Sequence, residues 1–243
     1  NINVADFPLL WLEGNGGTGY YPTYKGDTFL IAGSGCVYGG GASDYSAVTS
    51  INLENKSLTT DFTKIFLEKF NNLDSLVLLN NLSLNILDIT GNYNLSRISI
   101  RTSQFNSIDL SNNTLLSMCL IYFGDLTSID LSNNILLTTI YLNNNDLTSI
   151  DLSNNILLTE LRINNNYLIT NIDLSNNQLL IDVRTHNNQL SNFVNSQLLI
   201  DLDAHGLSNG YFQSSIFGGG SLTTAGATAK ANLQAKGWTI VGI

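Results

Sequence analysis

The chain has 243 residues, of which 43% are hydrophobic and only 12% charged, and its formal net charge is −9. This composition excludes a disordered chain, and the negative charge disfavours nucleic acid and anionic membranes as partners of its surface. The two cysteines, Cys36 and Cys119, lie too far apart to indicate a disulfide framework, and no apolar run reaches the about 18 residues of a membrane-crossing helix.

The first unit, residues 1–47, is rich in Gly, Tyr and Thr and carries no repeat. It includes Gly14-x-Gly16-x-x-Gly19, which matches a dinucleotide fingerprint by letter. That mechanism needs a helix N-terminus next, and Tyr-Tyr-Pro-Thr-Tyr is not one, so the match is rejected. A strand-and-turn cap or attachment segment is expected instead. The chain opens Asn-Ile-Asn without Met or a basic, apolar leader, which reads as a processed chain or part of something longer.

Residues 48–209 form the second unit. Eight coils align on Val48, Leu73, Leu95, Leu116, Leu137, Leu158, Leu180 and Leu199, at intervals of 25, 22, 21, 21, 21, 22 and 19 residues. Leu95, Leu116, Leu137 and Leu158 open the same frame, Leu-x-x-(apolar)-x-(apolar)-x-x-Asn-x-Leu, clearest at Leu137, Ile140, Leu142, Asn145 and Leu147, and a fixed period near 21 residues marks a solenoid. Asp61–Phe70 interrupts the first long coil with helical apolar spacing. Every coil holds two extended pieces, the Leu-x-x-Ile-x-Leu stretch and an Ile-Asp-Leu-Ser-Asn-Asn stretch, as at Ile129–Asn134. So short a coil leaves no room for a long helix. The expected fold is a thin solenoid with a parallel sheet on one side and short extended or 3₁₀ segments on the other.

Two asparagine columns recur, Asn145/Asn166/Asn188 (with Ser103 and Gly124 in the same seat) and Asn113/Asn134/Asn155/Asn177. Backbone groups at sharp bends turn inward and lose water, and Asn has the donors and acceptor to satisfy them. A structural role is therefore preferred to a binding one. The stacked Asp88, Asp109, Asp130, Asp151 and Asp173 supply too few ligands per coil for a calcium ladder. Local bonds to the next turn's amides are the preferred reading. Cys119 occupies an inward seat and reads as a buried thiol.

Residues 210–243 form the last unit. Gly218-Gly219-Gly220 breaks the repeat, Thr223–Lys236 reads as a helix with Leu233 inward, Gly237 stops it, and Trp238–Ile243 is strand-like. Helix and strand would cap the open end of the core.

Leu-Thr-Ser-Ile-Asp-Leu-Ser-Asn-Asn at 126–134 and Leu-Thr-Thr-Ile-Tyr-Leu-Asn-Asn-Asn-Asp-Leu at 137–147 resemble the repeats of bacterial leucine-rich repeat proteins. The likeness is to the 21-residue subclass in some internalin-type surface proteins, and it covers roughly residues 48–207. The subclass often has Cys at the seats of Leu142 and Ile163; this chain does not, so no cysteine ladder is expected. The ending Asn-Leu-Gln-Ala-Lys-Gly-Trp-Thr-Ile at 232–240 resembles ends of repeat proteins from bacterial surfaces and bacteriophages. The resemblance implies an extracellular setting, on a cell surface or virion.

Strand residues alternate inward and outward. The inward seats are Ile98/Ile100, Cys119/Ile121, Ile140/Leu142, Leu161/Ile163 and Val183/Thr185. The outward seats hold all four arginines (Arg97, Arg101, Arg162 and Arg184), both histidines (His186 and His205), and Met118, Leu120, Tyr122 and Tyr141. They also hold Glu160, Asp182, Asp201 and Asp203. Arg, Tyr and Met are enriched at recognition surfaces and Lys is depleted; all lysines lie elsewhere. The bland alternative is that arginine stems merely cover the sheet. His186 and His205 would be neighbours on adjacent strands beside Asp182, Asp201 and Asp203. A metal site there is conceivable, but an ordinary polar edge is preferred.

The leading expectation is a non-enzymatic recognition or adhesion module. It would bind a surface protein or glycan through Arg97, Arg101, Met118, Leu120, Tyr122, Tyr141, Arg162, Arg184 and His186, without cofactor, metal or membrane insertion. The alternative is a building block of a fibre, capsid decoration or surface layer, joined to a larger particle through residues 1–47. No nucleophile–base–orienter set, phosphate loop or metal-ligand spacing points to an enzyme.

Overall fold

A computed structural model describes residues 70–80 and 84–243, together with Leu67 and six strands between residues 11 and 54. Five strands precede the repeats: β1 (Trp11–Gly14), β2 (Gly17–Gly19), β3 (Thr23–Tyr24), β4 (Asp27–Thr28) and β5 (Leu30–Gly33). The glycine motif thus spans the antiparallel pair β1–β2, in which Gly14 faces Gly17, and Thr23–Tyr24 after it is extended. The helix expected over 61–70 and Cys36 lie outside the described residues, apart from Leu67 and Phe70, both buried.

The repeats supply β6 (Val48–Glu54), β7 (Ser75–Leu79), β8 (Arg97–Arg101), β9 (Met118–Tyr122), β10 (Thr139–Tyr141), β11 (Glu160–Arg162) and β12 (Asp182–Arg184). With β13 (Tyr211–Gln213) and β14 (Thr239–Val241) they form one parallel run, and β5, β1 and β2 extend it to a 12-stranded sheet. The result is a parallel-sheet solenoid of about five turns. The apolar column is continuous: Leu76, Ile98, Cys119, Ile140, Leu161, Val183 and Phe212 stand in register and are buried. Among the described residues the second piece of a coil pairs with no strand and instead makes tight turns, as at 132–137.

Both asparagine columns are structural. Asn155 Nδ2 donates to Leu131 O (3.2 Å) and Asn134 O (3.0 Å) of the preceding coil, and Asn113, Asn134 and Asn177 repeat the pattern. Asn166 Nδ2 donates to Leu142 O and Ile163 O, both at 2.9 Å, while its Oδ1 accepts from Leu147 N at 3.0 Å. Gly124 holds the same seat, where a Cβ would meet Asn145 Oδ1 at 3.0 Å and Ser103 Oγ at 3.1 Å. Each stacked Asp accepts from the amide two residues on, such as Ser132 N to Asp130 Oδ1 at 2.9 Å. Bonds from the hydroxyl and amide of the following serine hold Asp109, Asp130, Asp151 and Asp173 below the usual carboxylate range, at Asp109, Asp151 and Asp173 despite repulsion from a neighbouring aspartate.

The coil expected to open at Leu199 does not exist. Asn192–Ala204 is a helix, α1, capped by the Ser191 side chain, which accepts from Val194 N. Leu199-x-x-Leu202 fits a repeat frame, but Leu198, Leu199 and Leu202 are also one buried helical face. Ser191 supplies the start signal that decides between them. The next sheet strand is β13, whose Tyr211 pairs with Asp182. A second helix, α2 (Thr224–Ala235), follows with Thr223 as its N-cap and Leu233 buried. Gly237, at φ +85°, ends it. The two helices meet at Gly226, where a Cβ would fall 2.4 Å from Ser196 Cβ.

Candidate functional site

Strand register sets the outward residues in columns. Arg97, Met118, Thr139, Glu160, Asp182 and Tyr211 form one; Ser99, Leu120, Tyr141, Arg162, Arg184 and Gln213 form the next. Arg101 and Tyr122 pair in a third, which continues past the shorter strands toward Asn143, Asn164 and His186. The four guanidinium groups therefore share one face of the sheet.

Toward the C-terminal end the face is a closed network. The Tyr141 hydroxyl donates to Glu160 Oε2, and the Arg162 guanidinium lies 4.2 Å from the centre of the Tyr141 ring. Arg162 Nη2 reaches Asp182 Oδ2 at 2.9 Å, and Arg184 Nε reaches Asp182 Oδ1 at 3.0 Å. Arg184 in turn sits 4.8 Å over the Tyr211 ring. Burial and the bond to Glu160 push the Tyr141 phenol up to about 12. The Asp182 bond raises Arg184 further, while burial and the nearby Arg184 charge lower His186. Arg162 Nε and His186 Nδ1 are buried with no partner among the described residues. Planar Arg forks and rings in alternation give a stiff surface, since each charge is held by its neighbours.

Toward the N-terminal end the face is open. Arg97 and Arg101 are exposed, and Met118 and Tyr122 are half-buried. Phe123 follows Tyr122 and is 48% exposed. Its ring lies 6.0 Å from that of Tyr122, edge to face, and 5.3 Å from the Arg101 guanidinium. Phe123 escapes an alternation argument because it sits at the turn after the strand. The overlooked signal is its seat: Asn80, Thr102, Phe123, Asn144, Asn165, Asn187 and Asn209 all have φ between 57° and 60°. Asn tolerates that left-handed conformation, whereas a bulky aromatic adopts it only at a steric cost. At the seats of Asn144, Asn165 and Asn187 the side chains also bond sideways, as Asn165 Nδ2 does to Asn144 Oδ1 at 2.9 Å.

Several expected residues move. Leu120 faces outward by register but is only 7% exposed, closed off between Met118 and Tyr122 and beside Tyr141. Little of it can be touched by a partner. Asp201, Asp203 and His205 leave the sheet entirely, because α1 carries the two aspartates and His205 is its C-cap. His186 and His205 are therefore not strand neighbours, which removes the basis for the metal reading. Asp203 instead bonds Lys236 Nζ at 2.6 Å and Asn232 Nδ2 at 2.7 Å, tying α1 to α2. Burial opposes its charge, yet those bonds hold its carboxyl below the usual range. Burial raises Asp201. Cys119 is buried and its thiol is pushed up to about 12 by that burial.

A parallel sheet on one side of short coils, an inward leucine frame and buried asparagine ladders together define a leucine-rich repeat solenoid. No family model and no curated protein matches the chain. Among solved structures it is similar to the functional domain of InlJ from Listeria monocytogenes, at 27% identity over 72% of this chain, with a TM-score of 0.58. That domain is described as including a cysteine ladder; among the described residues of this chain Cys119 is the only cysteine. A leucine-rich repeat protein of Leptospira interrogans matches over 81% of this chain at 17% identity with a TM-score of 0.63, which shows the fold. The alignments span 37% and 49% of those chains, so this chain covers less than half the length of either. Among the described residues no helix is long and apolar enough to cross a membrane.

Proposed function

We propose that the chain is a non-enzymatic recognition module of an extracellular bacterial surface, binding a protein or glycan through the outward face of its sheet. The contact centre is Arg101, Tyr122 and Phe123, with Arg97 and Met118 at its border. The ordered network of Tyr141, Glu160, Arg162, Asp182 and Arg184 extends it, with His186 beside it. The observation that carries this reading is Phe123: an exposed aromatic ring at a left-handed seat that Asn fills in most other coils. A residue that costs conformational energy and gains little burial is expected where contact with a partner maintains it. The similarity to an internalin functional domain supports the same role.

The exposed rings and Arg101 suit stacking on a sugar or filling of a protein pocket, with directed hydrogen bonds from the guanidinium. The repeat scaffold presents them with little to order on binding. The test is an array of surface glycans and proteins probed with the intact chain, then with Tyr122→Ala and Phe123→Asn. Loss of the captured ligand with both variants, at unchanged melting temperature, supports the reading. Retained capture places the contact elsewhere.

A further inference from the structure

A second surface lies away from the sheet face, along the corner that leads into the strands. Before β9, β10, β11 and β12 the chain places two or three apolar residues in a row, as in Asn-Asn-Ile-Leu-Leu at 133–137 and 154–158, and only the frame leucine among them is needed inward. Leu137 and Leu158 are fully buried, while Ile135, Leu136, Ile156 and Leu157 are not. With Leu115 and Leu179 they form a strip across four successive coils, each side chain 38–56% exposed. These six expose on the order of 500 Å² of apolar surface, in the range of the largest patches on monomeric proteins (roughly 300–600 Å²).

A charged column lies one tight turn upstream of the strip in the chain. Asp130 and Asp151 precede Ile135 and Ile156 by five residues, and with Asp109 and Asp173 they form an exposed column parallel to the strip. Each is fixed by its bond from the following serine amide, so the charges cannot swing apart. Between Asp151 and Asp173 the column opens into a small cleft of about 130 Å³, lined also by Ser153, Asn171 and Asn176.

We infer that this strip docks an amphipathic helix whose apolar face is bordered by Lys or Arg. Four observations select that occupant. The column of fixed carboxylates asks for cations beside the apolar contact, which excludes an anionic membrane surface. A second copy would bring few cations, since the chain holds 10 Lys and Arg against 19 Asp and Glu. The strip is also smaller than the about 800 Å² per partner of a standard stable interface. Spacing favours a helix over a strand: coils repeat at about 4.8 Å and helix turns at about 5.4 Å, a drift near 2 Å over four coils. Same-face residues of a strand lie about 6.6 Å apart and lose step after one coil. The segment is three to four turns long, its anchors at i, i+3, i+4 and i+7.

The test uses the whole chain and a fluorescein-labelled Leu/Lys peptide of about 14 residues with helical apolar spacing. Fluorescence anisotropy is followed against salt, beside a scrambled peptide of equal composition and a Leu/Glu peptide of equal spacing. Saturable binding of the Leu/Lys peptide alone is expected. Ile135→Ser with Ile156→Ser weakens it by at least about tenfold. Asp130→Asn with Asp151→Asn, which keeps the side-chain acceptor for the turn, weakens it by about threefold and flattens the salt dependence. Tyr122→Ala leaves it unchanged, separating this surface from the sheet face. Equal binding of the scrambled peptide overturns the inference, as does an unaltered affinity in the isoleucine variant. Binding of the wild-type chain to anionic vesicles through these isoleucines overturns it too. So does a dimer in solution that the isoleucine substitutions dissociate.

Discussion

Replacing Asn155 by Ala removes one rung of a buried ladder, and the cost can be worked out bond by bond. Two hydrogen bonds disappear, to Leu131 O and Asn134 O. Each of those carbonyls keeps a second donor, from Asn134 N and Leu137 N, so each loss is worth about 1 kcal/mol and not the full penalty of an orphaned group. The vacated space adds about 1 kcal/mol. Part of this is offset because the partnerless Asn155 Oδ1 is removed as well. The net expectation is a destabilisation of about 2–3 kcal/mol. Asn166→Ala is the sharper comparison. It loses the same two kinds of bond and also strands the buried amide of Leu147, whose acceptor is Asn166 Oδ1. Its cost is about 1–2 kcal/mol larger. Asn154→Ala, which loses an exposed bond to Ser132 O, costs under about 1 kcal/mol. Urea unfolding at equilibrium followed by circular dichroism orders the three variants. If Asn155→Ala is as costly as Asn166→Ala, or either is as mild as Asn154→Ala, the ladder does not stabilise the solenoid in the way described.

Phe123→Asn should leave stability within about 1 kcal/mol of wild type, because relief of the left-handed strain and a new side-chain bond offset the lost ring packing; a thermal melt checks this beside the binding assay. Gly226→Ala should destabilise by about 2–4 kcal/mol, since the added methyl meets Ser196 Cβ and Cα across the helix contact, and a wild-type urea midpoint would contradict that packing. Alkylation of Cys119 at pH 8, read on its own peptide by mass spectrometry, should proceed only at the rate of unfolding; prompt labelling would mean the seat is open. His186 is held below its ordinary value, so its neutral form stabilises the fold at neutral pH and that contribution falls as pH drops below about 6.5. The loss of stability from pH 7 to 5 should shrink in His186→Gln; an unchanged slope would assign it to other groups.

The 21-residue period alone determined the solenoid, the parallel sheet, the inward seats and both asparagine ladders, because each coil packs only on its neighbours and repeats their solution. Local chemistry was equally readable: an Asp two residues before a Ser amide closes its own turn wherever it occurs. Leu199 shows where periodic reading ends. Its spacing satisfies a repeat and a helix alike, and the choice fell to the Ser191 cap and to packing against α2 through Gly226. Asp201, Asp203 and His205 followed the helix off the sheet. Alternation gave the outward direction of Leu120, but only the side chains around it decide that it is hidden. Phe123 was invisible to alternation, since its prominence comes from a backbone angle and from where Arg101 and Tyr122 place their groups. The exposed corner strip likewise needed three dimensions: three consecutive apolar letters look like core until the turn geometry shows that only the third can enter it.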